Sequence, residues 1–151
     1  MQPASRPAED GLQTFQRVTK IVYFSLLATV GLYWVILETV FAAVEERDLG
    51  IVRTALLLTG GATAVGALYA RLSLITPLLA DPAAEPARSL VALRTYYILC
   101  FALSEAVALY GFVLRVLGAS RAEVALFFVA ALFLLLLCYP RSPERLSGSG
   151  R

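Results

Sequence analysis

Histidine is absent from the 151 residues, methionine and tryptophan occur once each, and cysteine occurs twice. Without histidine the chain lacks the commonest general base and divalent-metal ligand of neutral pH. Cys100 and Cys138 lie far apart inside apolar runs. They read as small buried hydrophobes, with neither a disulfide nor a metal role. Charge is scarce as well, with 16% Asp, Glu, Lys and Arg, where soluble domains carry about a quarter. The net charge of +2 comes from scattered basic residues, which leaves no nucleic-acid footprint and so no nucleic-acid partner. A nucleophile elbow and a phosphate loop are also missing. With no reaction centre to assemble, the reading is a non-enzyme that uses no metal and no cofactor.

What the chain does have is apolar surface: 59% of residues are hydrophobic and mean hydropathy is +0.75. One small core cannot bury that many side chains, so the bilayer has to solvate much of the surface. The predicted fold class is all-α: a polytopic integral membrane protein of four transmembrane helices in an up-down bundle. Residues 1–20 form a polar N-terminal tail, too hydrophilic for a cleavable signal, whose last residues can start the first helix. A single transmembrane domain follows over 21–139, with spans at about 21–44, 51–75, 90–117 and 124–139. The tail 140–151 is short and polar.

The connector Glu45, Glu46, Arg47, Asp48, Leu49, Gly50 is short enough to make the first two helices antiparallel neighbours. Pro77, Pro82 and Pro86 break the helix between spans two and three, which predicts a loop over 76–89. Four spans place both termini on one side. Arg6, Arg17, Lys20, Arg71, Arg88, Arg94, Arg141, Arg145 and Arg151 fall on that side and Arg47, Arg53, Arg115 and Arg121 on the other. The positive-inside rule then puts the termini and the proline loop in the cytoplasm, and the protein in a plasma or bacterial inner membrane.

Glu105 is the least expected residue. It lies about twelve residues from either end of span three, close to a bilayer midplane at ~1.5 Å per helical residue. A carboxylate at that depth costs a few kcal/mol unless it is neutral, paired or beside water, on the order of the insertion scales. Glu38, about six residues from the end of span one, reads mainly as a side chain snorkelling toward the headgroups, with a polar contact as the alternative. On span two, Gly60 with Ala64, and Ala62 with Gly66, are four apart and predict a face that admits another backbone closely. Gly61 and Gly111 join this packing set, and Thr59 and Thr63 are candidate oxygen donors for secondary polar contacts.

Spans two and three resemble a known family over about residues 52–117. Span two is small-residue-rich and ends in Arg71. A loop and a basic entry lead to Ala102, Glu105, Ala106, Tyr110 and Gly111, in the pattern A-x-x-E-A-x-x-x-Y-G. This is similar to the hairpin of the c-type proteolipid subunits of rotary F- and V-type ATP synthases. The resemblance implies that Glu105 binds and releases an ion, that Tyr110 helps hold it closed, and that the chain works beside further copies of itself or other membrane subunits. Ala106 and a glutamine-free span two then favour a proton over sodium. The flanking spans one and four have no counterpart in a single hairpin, and neither repeats the motif.

Two readings follow. In one the chain is a proton-binding or proton-translocating subunit of a membrane complex, its acid neutral in lipid and ionised beside a cation or a water path. In the other it is a non-catalytic scaffold or accessory subunit, and Glu105 makes a structural hydrogen bond between helices.

Overall fold

The computed structural model describes residues 7–41, 43–76 and 86–140, by backbone alone at 7–13, 15 and 86–90. Within them the chain is all-helical: α1 Pro7–Val40, α2 Gly50–Tyr69 running directly into a π-helical turn Ala70–Ile75, α3 Pro86–Leu117 and α4 Arg121–Leu137. Helix α1 begins inside the polar lead and ends at Val40, a few residues before the expected end of span one. Pro86 is the first residue of α3, the one helical position where its missing N–H and fixed φ cost nothing. Residues 77–85 of the expected proline loop and the tail 141–151 lie outside the described residues.

Three segments, 16–40, 50–75 and 91–117, are long and apolar enough to cross a membrane. Helix α4 has 17 residues, at the short limit of what spans a hydrocarbon core. Large apolar side chains face outward on every helix, among them Phe24, Ile51, Leu58, Val91, Leu126 and Leu136. A surface of that kind fits lipid and not water. Together these features are those of a small membrane protein.

Helix α3 is the central element and packs against the other three. Its sequence supplies two seams. Phe101, Glu105, Phe112 and Arg115, at steps of four, seven and three residues, face α1: the Phe101 ring lies 5.7 Å from that of Tyr23, and the Phe112 ring 5.6 Å from Tyr33 and 6.0 Å from Phe41. Cys100, Ser104, Val107, Gly111 and Leu114 form the second, fully buried seam. On it, a Cβ at Gly111 would lie 2.7 Å from the Phe127 Cβ of α4. Helix α2 brings Gly60 to the same Phe127, where a Cβ would stand within contact distance of the ring, and Gly66 to Leu103 at an ordinary 3.8 Å.

Two sequence expectations change here. Helices α1 and α2 do not pair extensively; each packs on α3 and α4 instead. Their connector crosses over the turn between α3 and α4. The Arg47 N–H donates to the Gly118 carbonyl at 2.9 Å, and Arg115 donates to Phe41 O at 3.2 Å and Ala119 O at 3.0 Å. A short connector therefore does not force contact between the helices it joins, because it can straddle a second turn. The cysteines are the other change. Cys100 and Cys138 are disulfide-bonded, their Cα atoms 6.6 Å apart. Both are buried, as expected of small apolar residues. Their pairing joins α3 to the end of α4 across 38 residues, a proximity that only the tertiary fold creates.

Helix α3 ends in a Schellman turn: Ala119 N–H bonds Leu114 O at 2.9 Å, Gly118 N–H bonds Arg115 O at 3.0 Å, and Gly118 has φ +103°. A Cβ on Gly118 would meet the Glu45 carbonyl at 3.0 Å and the Arg47 side chain at 3.3 Å. Gly118→Ala is expected to lower stability by about 1–3 kcal/mol, from the strained φ and the displaced connector. Denaturation in detergent micelles checks it, and a loss below about 0.5 kcal/mol would mean that the connector does not rest on this turn. Ser120 then caps α4, its hydroxyl accepting from Glu123 N–H at 3.4 Å.

Candidate functional site

Glu105 faces the seam between α3 and α1 and is half-buried. Its Oε1 accepts a hydrogen bond from the Tyr33 hydroxyl at 3.4 Å. The sequence explains how the pair is held. Phe112 is seven residues beyond Glu105, two turns along the same face of α3, and its ring packs against that of Tyr33. On α1, Tyr23, Val30 and Leu37 are buried at heptad steps, so Tyr33 lies on the flank of an apolar ridge. The polar contact is thus inserted into a seam that is otherwise aromatic and aliphatic.

No hydrogen bond joins Tyr110 to Glu105. Five residues along a helix amount to about 140° of rotation and ~7.5 Å of rise, and Tyr110 packs beside the core instead. Thr59 and Thr63 do not reach the acid either. Their hydroxyls donate to the carbonyls of Ala55 and Thr59, each at 2.8 Å and four residues back. That back-bonding satisfies a hydroxyl in an apolar surround without another helix. Glu38 is exposed in the last turn of α1. Arg115, on the α3 face that carries Glu105, gives its guanidinium to backbone carbonyls at the end of the helix. Among the described residues no ion pair involves Glu105.

The packing residues divide. Gly60 and Gly111 are buried and converge on Phe127; Gly66 and Ala64 are half-buried against α3 and the core; Gly61 has nothing within 4 Å of where its Cβ would be. Sequence reasoning missed Tyr33 as the partner of Glu105. It lies 72 residues away, and no spacing rule links the two. The available signal was the heptad Tyr23, Val30 and Leu37 on α1, which marks a face that packs on another helix without naming α3. Arg71 reads from the sequence as a topology determinant, with anionic-lipid contact as the alternative. It is buried at the start of the π-helical turn, where its Nε donates to Leu137 O at 2.9 Å.

Among the described residues no group of His, Cys, Asp and Glu is placed to hold a metal ion. The chemistry on offer at Glu105 is that of one carboxyl group, a hydroxyl donor and an apolar wall. No family model, curated protein or solved structure matches this chain.

Proposed function

We propose that the chain is a small accessory or scaffolding membrane protein, an up-down four-helix bundle in which Glu105 is a structural acid that fixes the register of α1 on α3. The observation that carries this is the Tyr33 to Glu105 hydrogen bond within an apolar seam. Helix α1 covers the face of the α2–α3 hairpin on which a rotary proteolipid would present its carboxylate to a neighbouring subunit. A single polar pair in an apolar helix interface has register and specificity as its best-attested role. The order of contacts favours alternating helix directions. Arg53 pairs with Glu123 near the start of α2 and α4 and Arg71 bonds Leu137 near their ends, while Cys100 and Cys138 join the early part of α3 to the end of α4. The excess of basic residues at the end shared by Lys20, Arg71 and Arg94 favours that end as cytoplasmic, in a plasma or inner membrane. Outward apolar surface on all four helices makes lipid the first partner, with further copies or other membrane subunits as candidates.

A second reading, reversible proton binding by Glu105, is favoured by one observation: the side chain is only half-buried and just one of its oxygens is bonded among the described residues.

Glu105→Gln and Tyr33→Phe separate the two. For a structural acid, Glu105→Gln keeps an acceptor for Tyr33, so stability should stay within about 0.5 kcal/mol. Tyr33→Phe should cost about 0.6 kcal/mol and at most ~1.7, the range of hydrogen bonds between membrane helices. Neither should alter proton flux in proteoliposomes, and a carboxyl-reactive carbodiimide should leave Glu105 unmodified. Labelling of Glu105 that varies with pH, together with proton flux lost in Glu105→Gln, would replace the first reading with the second.

A further inference from the structure

The described side chains at the end of the molecule formed by the start of α1, the π-helical turn, the entry of α3 and the end of α4 carry positive charge only. Arg17, Lys20 and Arg94 are exposed there and Arg71 is buried. Among the described side chains no carboxylate shares that end. Glu38, Glu45, Glu46, Asp48 and Glu123 belong to the opposite end, and Glu105 lies between. There Arg53 pairs with Glu123, and Arg47 and Arg115 are tied into the crossed turns. Among the described side chains, one end is therefore charge-balanced and the other carries cations only.

Arg71 is the unusual member. Its residue is 9% exposed. Nε is held by the Leu137 carbonyl at the end of α4, a site that favours a cation by the helix dipole. Nη1 is buried and has no hydrogen-bond partner among the described residues. A buried, unpartnered N–H on a charged group is costly, and such orphans mark a missing ion or water. The backbone around it is π-helical, a geometry frequent at functional sites. Thr76 stabilises that turn by donating to Arg71 O at 2.9 Å. The depth matches the headgroup region: the rings of Tyr23 and Tyr139 meet edge-on at 5.3 Å in the same layer, and tyrosines collect at that interface.

We propose that Arg71 anchors a binding site for a phosphate-bearing anion, in the membrane the headgroup of an anionic phospholipid, with Arg17, Lys20 and Arg94 supplying the surrounding positive field. A guanidinium fork suits phosphate oxygens better than an ammonium does. The remaining negative charge of the lipid is met by the exposed cations Arg17, Lys20 and Arg94.

The test uses the full chain in neutral detergent, titrated with phosphatidylglycerol, phosphatidylcholine or inorganic phosphate while thermal unfolding is followed. Phosphatidylglycerol should raise the unfolding temperature and phosphatidylcholine should not. Arg71→Gln should weaken the phosphatidylglycerol effect at least tenfold, Arg71→Lys less, and Arg53→Gln at the opposite end not at all. A shift with millimolar inorganic phosphate that also depends on Arg71 would support the site and identify a soluble anion as its occupant. Equal stabilisation by both lipids, or an unchanged phosphatidylglycerol response in Arg71→Gln, would overturn the proposal. Should Arg71→Gln fail to fold, native mass spectrometry of the wild type decides: preferential retention of phosphatidylglycerol supports the site, and equal retention of the two lipids overturns it.

Discussion

Phe127→Ala is expected to destabilise the protein by about 3–5 kcal/mol, the range for removing a large buried aromatic side chain. Phe127 of α4 is the wedge at which three helices meet: Gly60 of α2 and Gly111 of α3 both close on it. With that ring gone, the two glycines face a void and three interfaces lose contacts together. The converse changes overfill the same point. Gly111→Ala would bring a methyl to 2.7 Å from the Phe127 Cβ, an atom fixed to the α4 backbone, so the helices must separate, at about 1–3 kcal/mol. Gly60→Ala presses on the far edge of the ring, which can tilt, and should cost less. Gly61→Ala meets open space and should be neutral or gain up to ~1 kcal/mol from helix propensity. Unfolding in detergent micelles with a graded denaturant ranks the four variants. A Gly61→Ala loss as large as that of Gly111→Ala would show that α2 packs through a different face.

These glycines show where sequence reasoning succeeds and where it stops. Small residues four apart predict close approach by some helix, and Gly60 is buried as that rule implies. The rule cannot choose between Gly60 and Gly61, which lie 100° apart on one helix, because the direction of the approach is set by α4. The number of helices was legible for a related reason: uninterrupted apolar runs ended by proline or charge leave few alternatives in lipid. Glu105 stood out because an ionisable group deep in an apolar run is recognisable before its partner is known. The partner did not stand out, since Tyr33 becomes relevant only once α1 lies against α3, and the short connector argued for α1 beside α2. The Cys100 to Cys138 bond was hidden in the same way, two apolar-looking positions made adjacent by the packing of α3 on α4.

That connector is why Arg115→Met is expected to have the second large effect. Arg115 is 5% exposed and gives one nitrogen to Ala119 O, beyond its own helix end, and another to Phe41 O at the end of α1. It is the cation at the C-terminus of α3, where the helix dipole favours positive charge. Methionine preserves much of the apolar stem but removes the Arg115 donor from buried Ala119 and takes from Phe41 O the charged one of its two donors, the Val44 N–H remaining at 3.3 Å. Losing the donor to Ala119 O and a charge-assisted bond to Phe41 O should together cost about 2–4 kcal/mol, unless the connector lifts away to find water. Lifting has its own signature. The Arg47 N–H to Gly118 O bond would open, and residues 43–49 would become sensitive to protease while the helices stayed intact. Arg115→Lys restores a charge without the fork and can serve one carbonyl at a time, so about half the loss should return. An Arg115→Met protein as stable and as protease-resistant as the wild type would mean that α1 is held to α3 by the Tyr33, Phe41 and Phe112 packing alone. In that case the crossing of the connector over the α3–α4 turn would be a consequence of helix placement and not one of its causes.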